Sequence, residues 1–180
     1  MSWNSQSYAR MQRAEGRLVW NPTDLSAAFP FGGTDLGRCV DKVLRFQRNY
    51  RDVTAEEFGG DVQTTIELGG PTVFACMVMG VVDNAYDLVM ASANGDTYKV
   101  FSNTETPGGE VSGQPLLFYP NDPTNHEALL VHHALPTMPP DAAQRFAIDE
   151  RLGLPLLFRC ARDPETDKVY DLGIFGDLSL

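Results

Sequence analysis

Apolar and polar residues alternate with a period of two in several runs of the chain, the signature of strands with one face buried. In residues 127–172 the runs EALLVHHAL, QRFAIDE, LPLLFRCA and KVYDL are separated by Pro136, Pro139 and Pro140, by Gly153 with Pro155, and by Asp163 with Pro164. Proline fixes φ and removes a ladder donor, so these residues punctuate four strands of an antiparallel meander. Within QRFAIDE, Phe146 and Ile148 share one face, and Arg145, Ala147 and Asp149 the other, as in a sheet wetted on one side. LPLLFRCA is apolar on both faces up to Arg159, which predicts a central strand covered either by its own domain or by a neighbouring subunit.

The same pattern organises the first two thirds of the chain. RLVWNP is a short strand stopped by Asn-Pro, and SAAFPFGG an irregular connection. In LGRCVDKVLRFQRNYR, Lys42, Arg45, Arg48 and Arg51 recur every three residues as on a helix, while Val40, Leu44 and Phe46 alternate; the β-branched and aromatic content favours a strand. Residues 49–61 read as a loop, with at most a helical turn where Thr54 and Glu57 have capping-box spacing. VQTTIEL, Gly69-Gly70-Pro71 and TVFACMVMGVV predict a hairpin over residues 62–82, with Met77 and Met79 filling gaps in the core. One short α-helix is expected at about 83–92, capped by Asp83, with Tyr86, Val89 and Met90 on one face and Asn94-Gly95 ending it. DTYKVFS and PLLFYP are further strands flanking the polar loop SNTETPGGEVSG. The expected fold is therefore mainly β: an antiparallel sandwich or partial barrel over residues 17–180, with one short helix, long loops and an extended N-terminal arm over residues 1–16.

A chain of 180 residues, 43% hydrophobic, carries one good core. No apolar h-region opens it, and its longest apolar run, residues 73–82, is about half the roughly 20 residues of a membrane-spanning helix, so a protein made in a cytoplasm is expected, with no membrane binding. Cys39, Cys76 and Cys160 are far apart in apolar contexts and read as buried small hydrophobes. The net charge of −10 is unevenly spread: residues 1–51 hold eight Lys or Arg against four Asp or Glu (+4), and residues 52–180 six against twenty (−14). An acidic body is the wrong sign for a phosphate-binding surface. A basic start could instead dock on the acidic body of another copy, head to tail.

FAIDERLGLPLLFRCARDPETDKVYDLG, together with ALLVHHALPT, GRLVWNPTDLSAAFPFGGTDLG and VTAEEFGG, resembles the tail tube (major tail) proteins of long-tailed bacteriophages, in which an apolar strand ending in a Leu-x-Phe-Arg-like run precedes an Asp-Pro turn and a short last strand. The resemblance spans most of the chain. It implies a structural virion protein of the tail, assembled in the host cytoplasm as stacked sixfold rings around a channel for genome passage. Its partners would be copies of itself, the terminator, distal tail and tape measure proteins and, where present, a sheath, with DNA passing without sequence-specific binding.

Acidic side chains suit such a channel because they repel phosphate. If the 62–82 hairpin and the 144–161 pair line it, Asp61, Glu67, Asp149 and Glu150 face the lumen. Trp3, Arg10, Arg13 and Arg17 in the arm and its root, with Arg48, Arg51, Glu56 and Glu57 around the early loop, are the residues expected between subunits or rings. The sheet is expected to stay unfinished until copies complete it. Two alternatives remain: a connector, terminator or distal ring of the same virion, and a small-ligand β-barrel with a pocket at its mouth.

Catalytic signatures are missing. Gly32, Gly33 and Gly37 lack the Lys-Ser/Thr of a phosphate loop, and His126 and His132 are six apart, where a zinc-protease helix needs four. The Asn-Asp pair at Asp83 and Asn84 lacks the glycine and glutamate of a calcium loop. Without a nucleophile elbow either, neither an enzyme nor a cofactor site is expected.

Overall fold

A computed structural model describes residues 11, 13–47, 49–54, 62–79, 84, 85, 88, 91–94, 99–102, 113–137 and 153–180. Through them run β1 (Gly16–Trp20), β2 (Thr34–Phe46), β3 (Asn49–Thr54), β4 (Val62–Gly69), β5 (Thr72–Met79), β6 (Ala91–Asn94), β7 (Lys99–Ser102), β8 (Gln114–Pro120), β9 (Ala128–Thr137), β10 (Gly153–Ala161) and β11 (Tyr170–Gly173), then a 3-10 turn at Phe175–Asp177. The protein is mainly β, as its alternation predicts.

Seven strands form one sheet in the order β10-β5-β2-β1-β8-β9-β11, and β10 also pairs with β9. Six strands thus close into an antiparallel barrel, with β11 outside the ring. This corrects the expectation of a main sheet left open for other copies. Closure is possible because β9 shares one edge between two partners: residues 128–131 pair with β11 and residues 133–137 with β10. The meander is corrected as well, since β11 returns to β9 rather than lying beside β10; QRFAIDE falls outside the described residues.

Alternate side chains fill the barrel. Leu18, Leu36, Leu44, Phe74, Val78, Leu116, Phe118, Leu129, Val131, Leu154, Leu156 and Phe158 form one buried cluster with Cys39, Cys76 and Cys160. Each fully buried side chain of this size contributes about 1.5–3 kcal/mol relative to exposure. Residues of opposite parity, Val19, Leu117, Ala128 and Leu130, make a second cluster outside the wall, covered by Phe31 and, less deeply buried, by Leu25, Tyr119, Phe175 and Leu178. Met77 and Met79 are half-buried on the outer face of β5, where both sulfurs lie against Gly153, so they do not fill the interior as expected.

Four local readings change. Asn49–Thr54 is a strand rather than a loop, and β4 pairs with β3 while β5 pairs with β2 and β10, so residues 62–82 do not form a hairpin. Asn84, Ala85 and Leu88 are helical, but Ala91 already opens β6, which pairs with β7 from Asn94↔Lys99 to Ala91↔Ser102. Asn94 therefore heads a hairpin and does not stop a helix. The arm is not extended over its whole predicted length either. Met11 and Arg13 are helical, and Met11 and Ala14 are buried in the barrel core.

Candidate assembly surface

The most unusual element is the pair β3–β4. Phe46 faces Thr72 at the end of the β2–β5 pairing and Asn49 faces Gly69 at the start of β3–β4, so the two pairings meet in one register, which slips only beyond the joint, between Asn49 and Tyr50. The Gln47 N–H donates to the Pro71 carbonyl at 3.1 Å, as a ladder bond where they meet should. β2–β3 and β4–β5 are therefore one long antiparallel ribbon, rooted in the barrel and continued beyond it. Gly69-Gly70-Pro71 is its joint: a Cβ on Gly70 would overlap the Gln47 carbonyl, so the strands can approach here only without a side chain. Proline is tolerated because the position is a break between ladders. Phe46, at the joint, is 43% exposed.

The outer face of the barrel beside the ribbon's root is apolar. Val40 and Val43 of β2, Val73 and Ala75 of β5, and Pro155 and Leu157 of β10 are all half-buried there. LPLLFRCA is thus apolar on both sides in the fold as in the sequence, up to the exposed Arg159.

Of the expected lumen and contact residues, Arg13, Arg17, Arg51 and Glu67 are described. Glu67 is on the ribbon opposite Tyr50, and Arg51 opposite Ile66. Arg13 is exposed. Arg17 is engaged by its own chain: its guanidinium forks onto the Asp35 carboxylate, with Nε 3.0 Å from Oδ2, and lies over the Phe29 ring. Arg38 pairs likewise with Glu15 at 2.7 Å. Trp3, Arg10, Arg48, Glu56, Glu57, Asp61, Asp149 and Glu150 lie outside the described residues.

His132 is engaged within the fold. It is buried at the fork of β9, its N–H bonded to the Val169 carbonyl and its Nε2 2.9 Å from Asp171 Oδ2, which Lys168 Nζ also reaches at 2.9 Å. Among the described residues no three His, Cys, Asp or Glu side chains are grouped to hold a metal ion. The three cysteines are buried free thiols. Burial pushes Cys160 up to about 12, and a hydrogen bond with Cys39 together with burial raises Cys76, so neither is a ready nucleophile at neutral pH.

The ribbon joint was not singled out by sequence reasoning. For the joint, the available signal is that Asn49–Thr54 also carries strand-forming Tyr50 and Val53. Neither a protein-family model nor a curated protein sequence matches this chain.

Proposed function

We propose that the chain is a structural subunit that assembles with copies of itself into stacked rings around a channel, in the manner of the phage tail tube proteins it resembles. The ribbon β3–β4 carries this reading. It is two strands wide, continues the barrel's own pairing outward, and its outer edges have no strand partner among the described residues. A two-stranded ribbon alone in water is marginal, and an open edge is a template for another chain. What copies would complete is therefore the ribbon, while the barrel is complete by itself.

Glu67 on the ribbon is the described candidate for a lumen position, and the acidic body of the chain suits a wall past which DNA slides. A small-ligand barrel has less support, because Phe74, Phe118 and Phe158 occupy the interior together with Met11.

Internal pairing of Arg17 and Arg38 and burial of Lys42 leave Arg13 and Arg45, both exposed, as the described basic residues of the first part of the chain that could meet an acidic neighbour. Mass photometry of the full chain tests the reading: ring-sized species are expected at low salt, and fewer as ionic strength rises from about 0.05 to about 0.5 M, where the Debye length contracts to a few ångströms. Assembly indifferent to salt would remove the electrostatic contribution, and a monomer under every condition would remove the proposal.

A further inference from the structure

Lys42 is only 5% exposed, and nothing in the assembly reading uses it. Its inward course is built by the backbone. Regular alternation from Cys39 would turn residue 41 inward and residue 42 outward. Instead Asp41 adopts a φ of 50°, the register against β5 slips between Val40 and Val43, and the extra residue brings Lys42 to the interior face with Leu44. A β-bulge is the usual way to re-aim a side chain, and aspartate tolerates the left-handed conformation better than most residues.

Inside, Nζ donates to the Ala14 carbonyl at 2.6 Å and lies 4.6 Å from the centre of the Phe118 ring. The Ala14 N–H bonds back to the Met11 carbonyl, so the ammonium sits at the carbonyl end of a helical turn, where a cation is favoured. The neighbouring residues lie against the same part of the barrel. Glu15 accepts from Arg38 through its side chain and from the Asn121 N–H through its carbonyl at 2.8 Å, and a Cβ on Gly16 would strike Phe118 and the Tyr119 carbonyl. Burial pushes the Lys42 amine below its ordinary range, opposed by Cys39, Cys76, Asp41 and Glu15 around it.

We propose that Lys42 is a positioning residue that locks residues 13–16 onto the barrel and so sets the point from which residues 1–10, with Trp3 and Arg10, reach a neighbouring copy. The role of those ten residues rests on the assembly reading; the lock does not.

Hydrogen exchange of the full chain, read by mass spectrometry, compares the wild type with Lys42→Met and Lys42→Arg. Lys42→Met is expected to speed exchange at residues 14–16 by roughly tenfold or more while β5 and β10 are unchanged, and Lys42→Arg, which still donates, to restore most of the protection. Unchanged exchange at residues 14–16 in Lys42→Met overturns the proposal. So does an equal rise in β5 and β10, which would make Lys42 an ordinary core residue. Should Lys42→Met fail to fold, acylation of wild-type Lys42 by a succinimidyl ester decides: labelling must track the opening of residues 14–16, and labelling that waits for β10 to open overturns the lock. Both readouts are independent of self-association, so failure to form rings with the lock intact counts against the assembly reading alone.

Discussion

Asp171 closes the fork of β9 by accepting from His132 and Lys168 at once. Burial pushes its carboxyl up, but the hydrogen bonds and charges of Lys168 and His132 outweigh that and hold it below its ordinary 3.8. A carboxylate lowered in the folded state stabilises fully above its unfolded pKa, and the contribution is lost as pH falls through the folded value. Asp171→Asn should therefore cost about 1–3 kcal/mol at neutral pH, typical of hydrogen bonds to a charged group. In urea titrations the gap between wild type and variant should close below about pH 4. Other lowered acids, Asp24, Asp122 and Asp163, are common to both proteins and cancel. A constant gap down to about pH 2 would mean the residue acts by packing rather than charge. This pair is not legible in HEALLVHH or KVYDL, because it depends on β11 returning to β9. Lys42 is hidden for a related reason: strict alternation misplaces it, and only the bulge at Asp41 turns it inward.

Elements were far easier to read than their pairing. RLVW, VQTTIEL, TVFACMVM, PLLFYP, ALLVHHAL and LPLLFRCA all lie in strands, since alternation reports burial of a face directly. Turn chemistry was the weaker guide. Gly69-Gly70-Pro71 has the composition of a hairpin turn, and what makes it a joint is that Phe46↔Thr72 and Asn49↔Gly69 keep one register across it, a long-range property. Gly70→Val should force the strands apart at Gln47 and weaken the ribbon by on the order of 1–3 kcal/mol. Amide exchange in β3 and β4 would rise while β10 stays protected. A variant with wild-type exchange in β3 and β4 would show that the close approach at the joint does not hold the ribbon.

At the scale of the molecule, the division is between a barrel that closes on itself and a ribbon whose outer edges have no strand partner among the described residues. The sequence led to an open sheet because LPLLFRCA is apolar on both faces; in the fold one face meets the barrel core and the other is half-buried outside, without leaving the strand unpaired. Closure could not be foreseen, since it depends on β9 being shared between β10 and β11. Assembly, on this account, belongs to the ribbon and can be removed without touching the barrel. Replacing residues 48–70 with Asn-Gly joins Gln47 to Pro71 across an existing ladder bond, with the turn that two-residue hairpins favour. Negative-stain microscopy of this chain beside the full-length protein at equal concentration is the most direct measurement. The account predicts rings or tubes from the full chain and only monomers from the shortened one, with the same protected β5 and β10 amides in both; rings from both, or monomers from both, would contradict it.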